Sequence, residues 1–433
     1  MRARTGTLAC LTLLVALPAL SVTAQTIDPE YVEEMEVLTG QQAVRNALSR
    51  VEELDPWGMD VLVELTEIPA PPFMEEVRAA RFAELLREAG ADSVWIDAEG
   101  NALGLRRGRG GGRTVAFGGH LDTVFPEGTD VTVRMRGDTL YAPGVGDDTR
   151  GLVVVLTVLR ALEEANVETS DDVVFIGTVG EEGLGDLRGM KHLFREGADP
   201  IDTWIEIDGG GLSRIVTQGL GSVRYRVTFT GPGGHSWGAF GLVNPAHAMS
   251  RAVRFFQDEA DVLTRSGPTT SYNVGRIGGG TSVNAIPFES WMEVDMRSES
   301  PASLMRIEQA FIDAMDRGLE GENALRREGP ALKVDLDRIG DRPSGELPPS
   351  TPVIQRALAA TAEFGVSSSL ARSSTNSNIP ISLRVPAVTL GRGGVGGSSH
   401  APGEWWINED GHLAIQRALL VVVAEAGLAG IIP

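Results

Sequence analysis

Apolar runs that read as strands alternate with helical stretches through the first half of this chain, and nothing else in it restricts the fold as strongly. Val94-Trp95-Ile96, Thr114-Val115-Ala116-Phe117, Val173-Val174-Phe175-Ile176 and Trp204-Ile205-Glu206-Ile207 read as strands, and Leu152 to Leu162 as a buried helix. A helix carrying Phe82, Leu85, Leu86 and Ala89 stops at Gly90, behind the proline-rich loop Thr66 to Pro72. Such alternation predicts an α/β fold, a mainly parallel mixed sheet covered by helices on both faces. From about Gly221 the rhythm changes: strand Tyr225 to Thr230, helix Ala246 to Phe256, strands Ser271 to Arg276 and Trp291 to Asp295, helix Leu304 to Leu319 and strand Leu332 to Leu336 suit a compact α+β unit. After Pro349 the α/β pattern returns with helix Gln355 to Phe364, strand Ala387 to Leu390 and a last helix from Gly411 to Ala426. At 433 residues the chain exceeds one ordinary domain of about 100–200 residues. The simplest organisation is one α/β domain made from residues 25–219 and 341–433, interrupted by an inserted domain over 220–340.

Residues 1–24 are a different kind of sequence. Arg2 and Arg4 precede the apolar stretch Leu8 to Leu20, and Ser21-Val22-Thr23-Ala24 supplies small residues for a cut near Ala24-Gln25, the pattern of a signal peptide. The apolar run falls short of the ~20 residues that span a bilayer. Export to the periplasm or beyond the cell is therefore expected. The one cysteine, Cys10, lies in this segment, so the mature chain has neither disulfide nor thiolate, and any zinc it holds must use nitrogen and oxygen ligands. A net charge of −21 repels nucleic acid and anionic lipid, which argues against both as partners of the mature protein.

Potential metal ligands cluster at the ends of the strand-like runs. Gly118-Gly119-His120-Leu121-Asp122 puts an imidazole and a carboxylate two residues apart beyond a strand, so the acid could orient the ring; His-x-Asp alone is common. Gly144-Val145-Gly146-Asp147-Asp148 delivers two carboxylates at the head of an apolar helix, one more than capping needs. In Gly180-Glu181-Glu182-Gly183 adjacent acids can divide labour, one binding a metal while the other moves a proton from water to a leaving amine. Asp208 follows the Trp204 strand and precedes three glycines that let backbone approach a buried site, and Ser398-Ser399-His400 lies far downstream. Each has an ordinary structural explanation singly. Together, His120, Asp147, Glu182, Asp208 and His400 point to a pair of divalent metals and to hydrolysis.

In these motifs and their order the chain resembles the M20 metallopeptidases, which include carboxypeptidase G, peptidase T, acetylornithine deacetylase and succinyl-diaminopimelate desuccinylase. The resemblance runs from Ile68-Pro69-Ala70 to the last helix. It implies that His120, Glu182, Asp208 and His400 are terminal ligands, that Asp147 bridges two ions, that Asp122 orients His120, and that Glu181 is the general base. It implies zinc as the metal pair, with manganese or cobalt as alternatives. The middle section resembles the family's lid and dimerisation domain, so a homodimer is implied. There His235, in Gly231-Pro232-Gly233-Gly234-His235, matches a histidine that steadies the oxyanion in the partner subunit's site, and Asn284 and Arg297 match substrate-binding positions. Aspartate rather than glutamate at 208 tilts the expected substrate toward short peptides, with N-acyl amino acids as the alternative. Arg150 after the paired acids and Asn376 in Ser374-Thr375-Asn376 depart from the family pattern and bear on substrate recognition.

Three rival readings carry less. Gly234-His235-Ser236-Trp237-Gly238 fits the nucleophile elbow of serine hydrolases, but that motif needs a helix directly after it. Gly391-Arg392-Gly393-Gly394-Val395-Gly396 fits a dinucleotide fingerprint without the helix start that would support it. A nonenzymatic metal- or peptide-binding receptor would have little reason to keep Glu181 beside Glu182.

Overall fold

The computed structural model describes residues 26–431, so the expected signal peptide lies outside the described residues. A nine-stranded mixed sheet organises the larger part. At its centre Asp172–Thr178, Thr114–His120, Thr203–Ile207 and Ala387–Leu390 lie side by side and parallel. Ala102–Arg106 and Ser93–Ile96 continue one side antiparallel; on the other, Arg214–Gly219 runs antiparallel to Ala387–Leu390 and pairs in turn with Gly345–Glu346 and Ser369–Ser373. Every side chain of Thr203–Ile207 is buried, as expected of a strand covered on both faces. The strand from the last quarter of the chain thus sits inside the sheet built by the first half.

Helices flank this sheet. Arg150–Glu164 and Gly411–Ala426 are buried along most of their length and contact each other. Three N-terminal helices, Pro29–Thr39, Gln42–Glu53 and Asp55–Thr66, had no separate signature in the apolar pattern. In the second, Val44, Ala47 and Val51 are buried at helical spacing, a narrow stripe against Arg150–Glu164 and Gly411–Ala426.

The inserted unit has its own core. Four antiparallel strands run in the order Thr270–Gly279, Glu289–Ser298, Gly221–Thr230, Lys333–Arg342. Burial alternates strictly along Glu289–Ser298, so one face packs while the other stays open. The helices Pro245–Leu263 and Pro301–Asn323 cover the packed face, where Val227, Phe229, Phe256, Met292, Met296 and Phe311 are fully buried. Phe256 and Phe311 meet edge to face at 5.1 Å. A Cβ on Gly318 would stand 2.6 Å from that of Ala252, so a glycine is what lets the two helices approach this closely. Among the described residues no helix is long and apolar enough to cross a membrane.

A small antiparallel sheet ties the two functional loops together. Its strands are Val395–Gly397, Trp405–Ile407, Thr139–Tyr141 and Arg134–Arg136. It holds the turn carrying His400 against the turn carrying Asp147.

Candidate metal centre

The carboxyl ends of the parallel strands converge, as they do at ligand sites of open α/β sheets. His120 ends its strand opposite Thr178, and Glu181 and Glu182 follow on the neighbouring strand. Asp208 leaves Thr203–Ile207 with its N–H donated to Leu390 O at 3.1 Å. His400 arrives from the far loop with a left-handed backbone, φ 64°, which costs a non-glycine residue about 1 kcal/mol or more and is held by its surroundings.

Asp147 lies at the middle. One oxygen stands 3.3 Å from Nε2 of His120 and the other 3.2 Å from Nε2 of His400. It belongs to two groups close enough to hold an ion each, His120–Asp147–Asp208 and Asp147–Glu182–His400. Nε2 of His400 is also 3.0 Å from Glu182. The ring of His120 is oriented by its Nδ1, 2.9 Å from the main-chain carbonyl of Asp122. If Nδ1–H donates there, an unprotonated Nε2 lone pair is left facing a carboxylate, an arrangement that suits a cation between them. Nitrogen and oxygen donors without thiolate suit zinc, manganese or cobalt. The residues therefore fit divalent ions.

Electrostatics point the same way, since the centre is rich in buried acids. Burial, together with the charge of Asp147, raises the Asp208 carboxyl to about 7. Burial also lifts Asp148 and Glu181 well above the ordinary carboxylate range, against the pull of His120 and Arg342 respectively. Hydrogen bonds to Asp147 and Glu182 raise His400 to about 10. Burial works to lower His120, yet its hydrogen bond to Asp147 and the surrounding acids leave it raised. Asp147 is pushed up by burial but ends below its usual range because both imidazoles face it.

The carboxylate of Asp122 does something other than expected. It stands 3.7 Å from Nδ1 of His120, too far for a hydrogen bond, and instead accepts the N–H groups of Glu181 at 2.9 Å and Glu182 at 2.7 Å. Asp122 thus positions the acidic pair with its side chain and His120 with its backbone. Of the remaining candidates, Arg297 lines the cleft beside the centre, a space of about 460 Å³. Arg297 also donates to Asp295 at 2.8 Å, sharing that carboxylate with Arg224 at 2.9 Å. His235 and Asn284 do not enter this cleft. They lie together in an exposed two-stranded ladder, Gly234–His235 with Ala285–Ile286, where Ser236 N–H bonds the carbonyl of Asn284. Nδ1 of His235 accepts from the N–H groups of Trp237 and Gly238, both at 3.2 Å, which puts the ring proton on Nε2.

Several residues carry the site without a sequence signal. Glu404 is buried and accepts three backbone N–H groups of the Asp147 turn, from Gly144, Gly146 and Asp147, at 2.8–2.9 Å. Arg342, the last residue of its strand, is buried and donates to Glu181 Oε1 at 3.0 Å and to Ser374 at 3.1 Å. Only spatial proximity reveals either. Asn376 proves fully buried, donating to Thr178 at 2.8 Å and, through its backbone, to Glu206 at 3.3 Å. It supports the sheet, while Ser373 and Ser374 face the cleft. Arg150 is likewise buried, stacked 4.8 Å from the Trp406 ring.

Neither rival motif has its structural context. No helix follows Ser236 until Pro245, and the glycine run after Leu390 leads into another strand, Val395–Gly397, rather than into a helix.

The model of peptidase family M20/M25/M40 matches residues 116–424. Carboxypeptidase G2 of a Pseudomonas species is 26% identical over 46% of this chain and 47% of its own length. YqjE of Bacillus subtilis is 26% identical over 68% of this chain and 76% of its own length. Curated relatives are matched over 35% to 76% of their own length. A tripeptidase structure from Staphylococcus aureus superposes with a TM-score of 0.70 at 20% identity, covering 85% of this chain and 98% of that one; at that identity it speaks for the fold. Motif order, the converging strand ends and the match over residues 116–424 agree: the chain belongs to peptidase family M20/M25/M40.

Proposed function

We propose that this protein is an exported metal-dependent exopeptidase that hydrolyses amide bonds of short peptides. The observation that carries the reading is the position of Asp147, common to two ligand groups, His120–Asp147–Asp208 and Asp147–Glu182–His400, while Glu181 groups with His120 and Glu182. His120, Asp147 and Asp208 would hold one divalent ion, and Asp147, Glu182 and His400 the other, zinc in the first instance. Bound there, the ions supply polarisation of the scissile carbonyl and a lowered pKa for the attacking water.

The chain's own groups do the rest. Glu181 accepts a proton from the attacking water and hands it to the leaving nitrogen, a role that a burial-raised carboxyl suits. Arg342, bonded to Glu181, fixes that carboxylate and opposes further rise of its pKa. Arg224 and Arg297 would hold a free carboxylate of the substrate. In a homodimer formed through the inserted unit, the Nε2–H of His235 from a second subunit would donate to the oxyanion, worth about 3–4 kcal/mol in comparable sites.

The test is hydrolysis of dipeptides, tripeptides and N-acyl amino acids by the mature protein, stripped of metal and then given zinc, manganese or cobalt. Activity lost and regained supports the reading, and the substrates cleaved separate peptidase from acyl-amino-acid hydrolase. Inhibition by a serine-directed phosphonate but not by a chelator contradicts it. Mass spectrometry of the exported chain's N-terminus tests the cut near Ala24-Gln25.

A further inference from the structure

The cleft has a second charged wall that the metal centre does not use. Arg214, Arg224, Arg297, Arg342 and Arg392 all line it. Arg342 is taken by Glu181, and Arg224 and Arg297 share Asp295. Arg214 and Arg392 are different. Among the described residues neither has a carboxylate within ion-pair distance: Arg214 donates only to the Gly209 carbonyl, at 3.2 Å, and the Arg392 side chain donates no hydrogen bond. Arg392 is nonetheless only 6% exposed. None of its nitrogens is an enclosed atom without a partner, so the guanidinium opens onto the cleft with no carboxylate of the described residues at ion-pair distance.

The two side chains converge on one point. A Cβ built on Gly209 would stand 3.5 Å from Nη1 of Arg392 and 3.8 Å from Nη1 of Arg214. Gly209 itself has φ 35°, a backbone conformation that L side chains rarely adopt. Gly146 and Gly396, on two other loops, would place a Cβ 2.8 Å and 3.5 Å from Nη2 of Arg392. Only at Gly146 is the approach too tight for a Cβ; at Gly209 and Gly396 it would make ordinary contact with the guanidinium. The acids whose charge reaches these arginines are Asp147 and Asp148 for Arg392 and Asp208 for Arg214. Divalent ions on Asp147 and Asp208 would cancel much of that charge, leaving a cationic wall that only an anion balances.

We propose that Arg214 and Arg392 form a second anion subsite, which takes a substrate carboxylate other than the one held by Arg224 and Arg297. The preferred substrates are then dianionic short peptides that carry an aspartate or glutamate side chain besides the terminal carboxylate. This rests on the cleft being an amide-hydrolysing site. Guanidinium pairs bind planar carboxylates through paired hydrogen bonds, and the acidic side chain is the common second anion of a peptide.

The test has a catalytic arm and a binding arm. The zinc-loaded protein is given aspartyl and glutamyl di- and tripeptides, each beside its asparaginyl or glutaminyl isostere. The expected preference for the acidic member is about tenfold or more in kcat/KM, lying mainly in KM. That ratio collapses toward one in Arg392→Gln and in Arg214→Gln, whose metal content is measured to separate the effect from loss of ions. In the binding arm, calorimetry compares glutarate with its monoamide, glutaramate; tighter binding of glutarate that both variants lose supports the subsite without any turnover. Equal handling of both isosteres by the parent, a preference that survives in both variants, or tighter binding of inorganic phosphate than of glutarate overturns the proposal. Cleavage of neutral peptides with no acidic preference would sink the subsite alone, whereas no cleavage of any peptide counts against the proposed activity and leaves the binding arm to decide the subsite.

Discussion

The two walls of the cleft are built on opposite plans. The acidic wall has two sources: His120, Glu182 and Asp208 stand at the ends of parallel strands of the large sheet, while Asp147 and His400 come from turns that the small antiparallel sheet holds together. The basic wall is assembled from scattered positions: Arg224 and Arg297 on the inserted antiparallel sheet, Arg342 where that sheet ends, and Arg214 and Arg392 on the larger domain. The difference teaches where chemistry and recognition are stored. The acids are fixed by buried backbone and by supports such as Glu404, whereas most arginines sit on a unit with a separate hydrophobic core. Such a unit can change its cleft face without disturbing the parallel sheet.

If this division is right, damage to the acidic wall stops turnover while damage to the basic wall changes which substrates turn over. Glu181→Gln should lower kcat by about 10²–10⁴-fold with metal content intact, as elemental analysis would register; an active variant removes Glu181 from the mechanism. His235→Ala should cost about 10²–10³-fold in kcat. Mixing it with Glu181→Gln under conditions of subunit exchange should restore activity, because one mixed site then has both an intact base and an intact donor. Failure to complement, or a monomer in sedimentation, withdraws the cross-subunit role. Glu404→Gln should weaken metal affinity by about 10–100-fold, read by chelator competition, since it loosens three N–H groups that shape the Asp147 turn. Unchanged affinity would make Glu404 a fold residue only. Arg297→Ala should raise KM about tenfold for peptides with a free carboxylate and leave their amidated forms nearly unchanged.

The same contrast explains what could be read beforehand. Strand runs such as Trp204 to Ile207 are continuous because both faces are buried, so the sheet was legible, and His120, Asp147, Glu182, Asp208 and His400, singled out from the sequence, lie close together in the structure. Helix Gly411 to Ala426 matches to the residue. The small sheet was not legible, because strands as short as Thr139–Tyr141 carry too few residues to show a period. Glu404 and Arg342 were invisible for another reason: their partners lie more than 150 residues away, and nothing local distinguishes them from solvated charges. For Asp122, spacing brings a residue near His120 without saying which of its atoms makes the bond: the carbonyl stands 2.9 Å from Nδ1 and the carboxylate 3.7 Å.

The central claim is that Asp147 belongs to two ion sites at once. Counting divalent ions bound per chain in the parent and in Asp147→Asn, alongside peptide hydrolysis, tests it most directly. The account predicts two ions per chain in the parent, with loss of metal and of hydrolysis in the variant. A single ion in the parent, or two ions retained with full activity after Asp147→Asn, would contradict it.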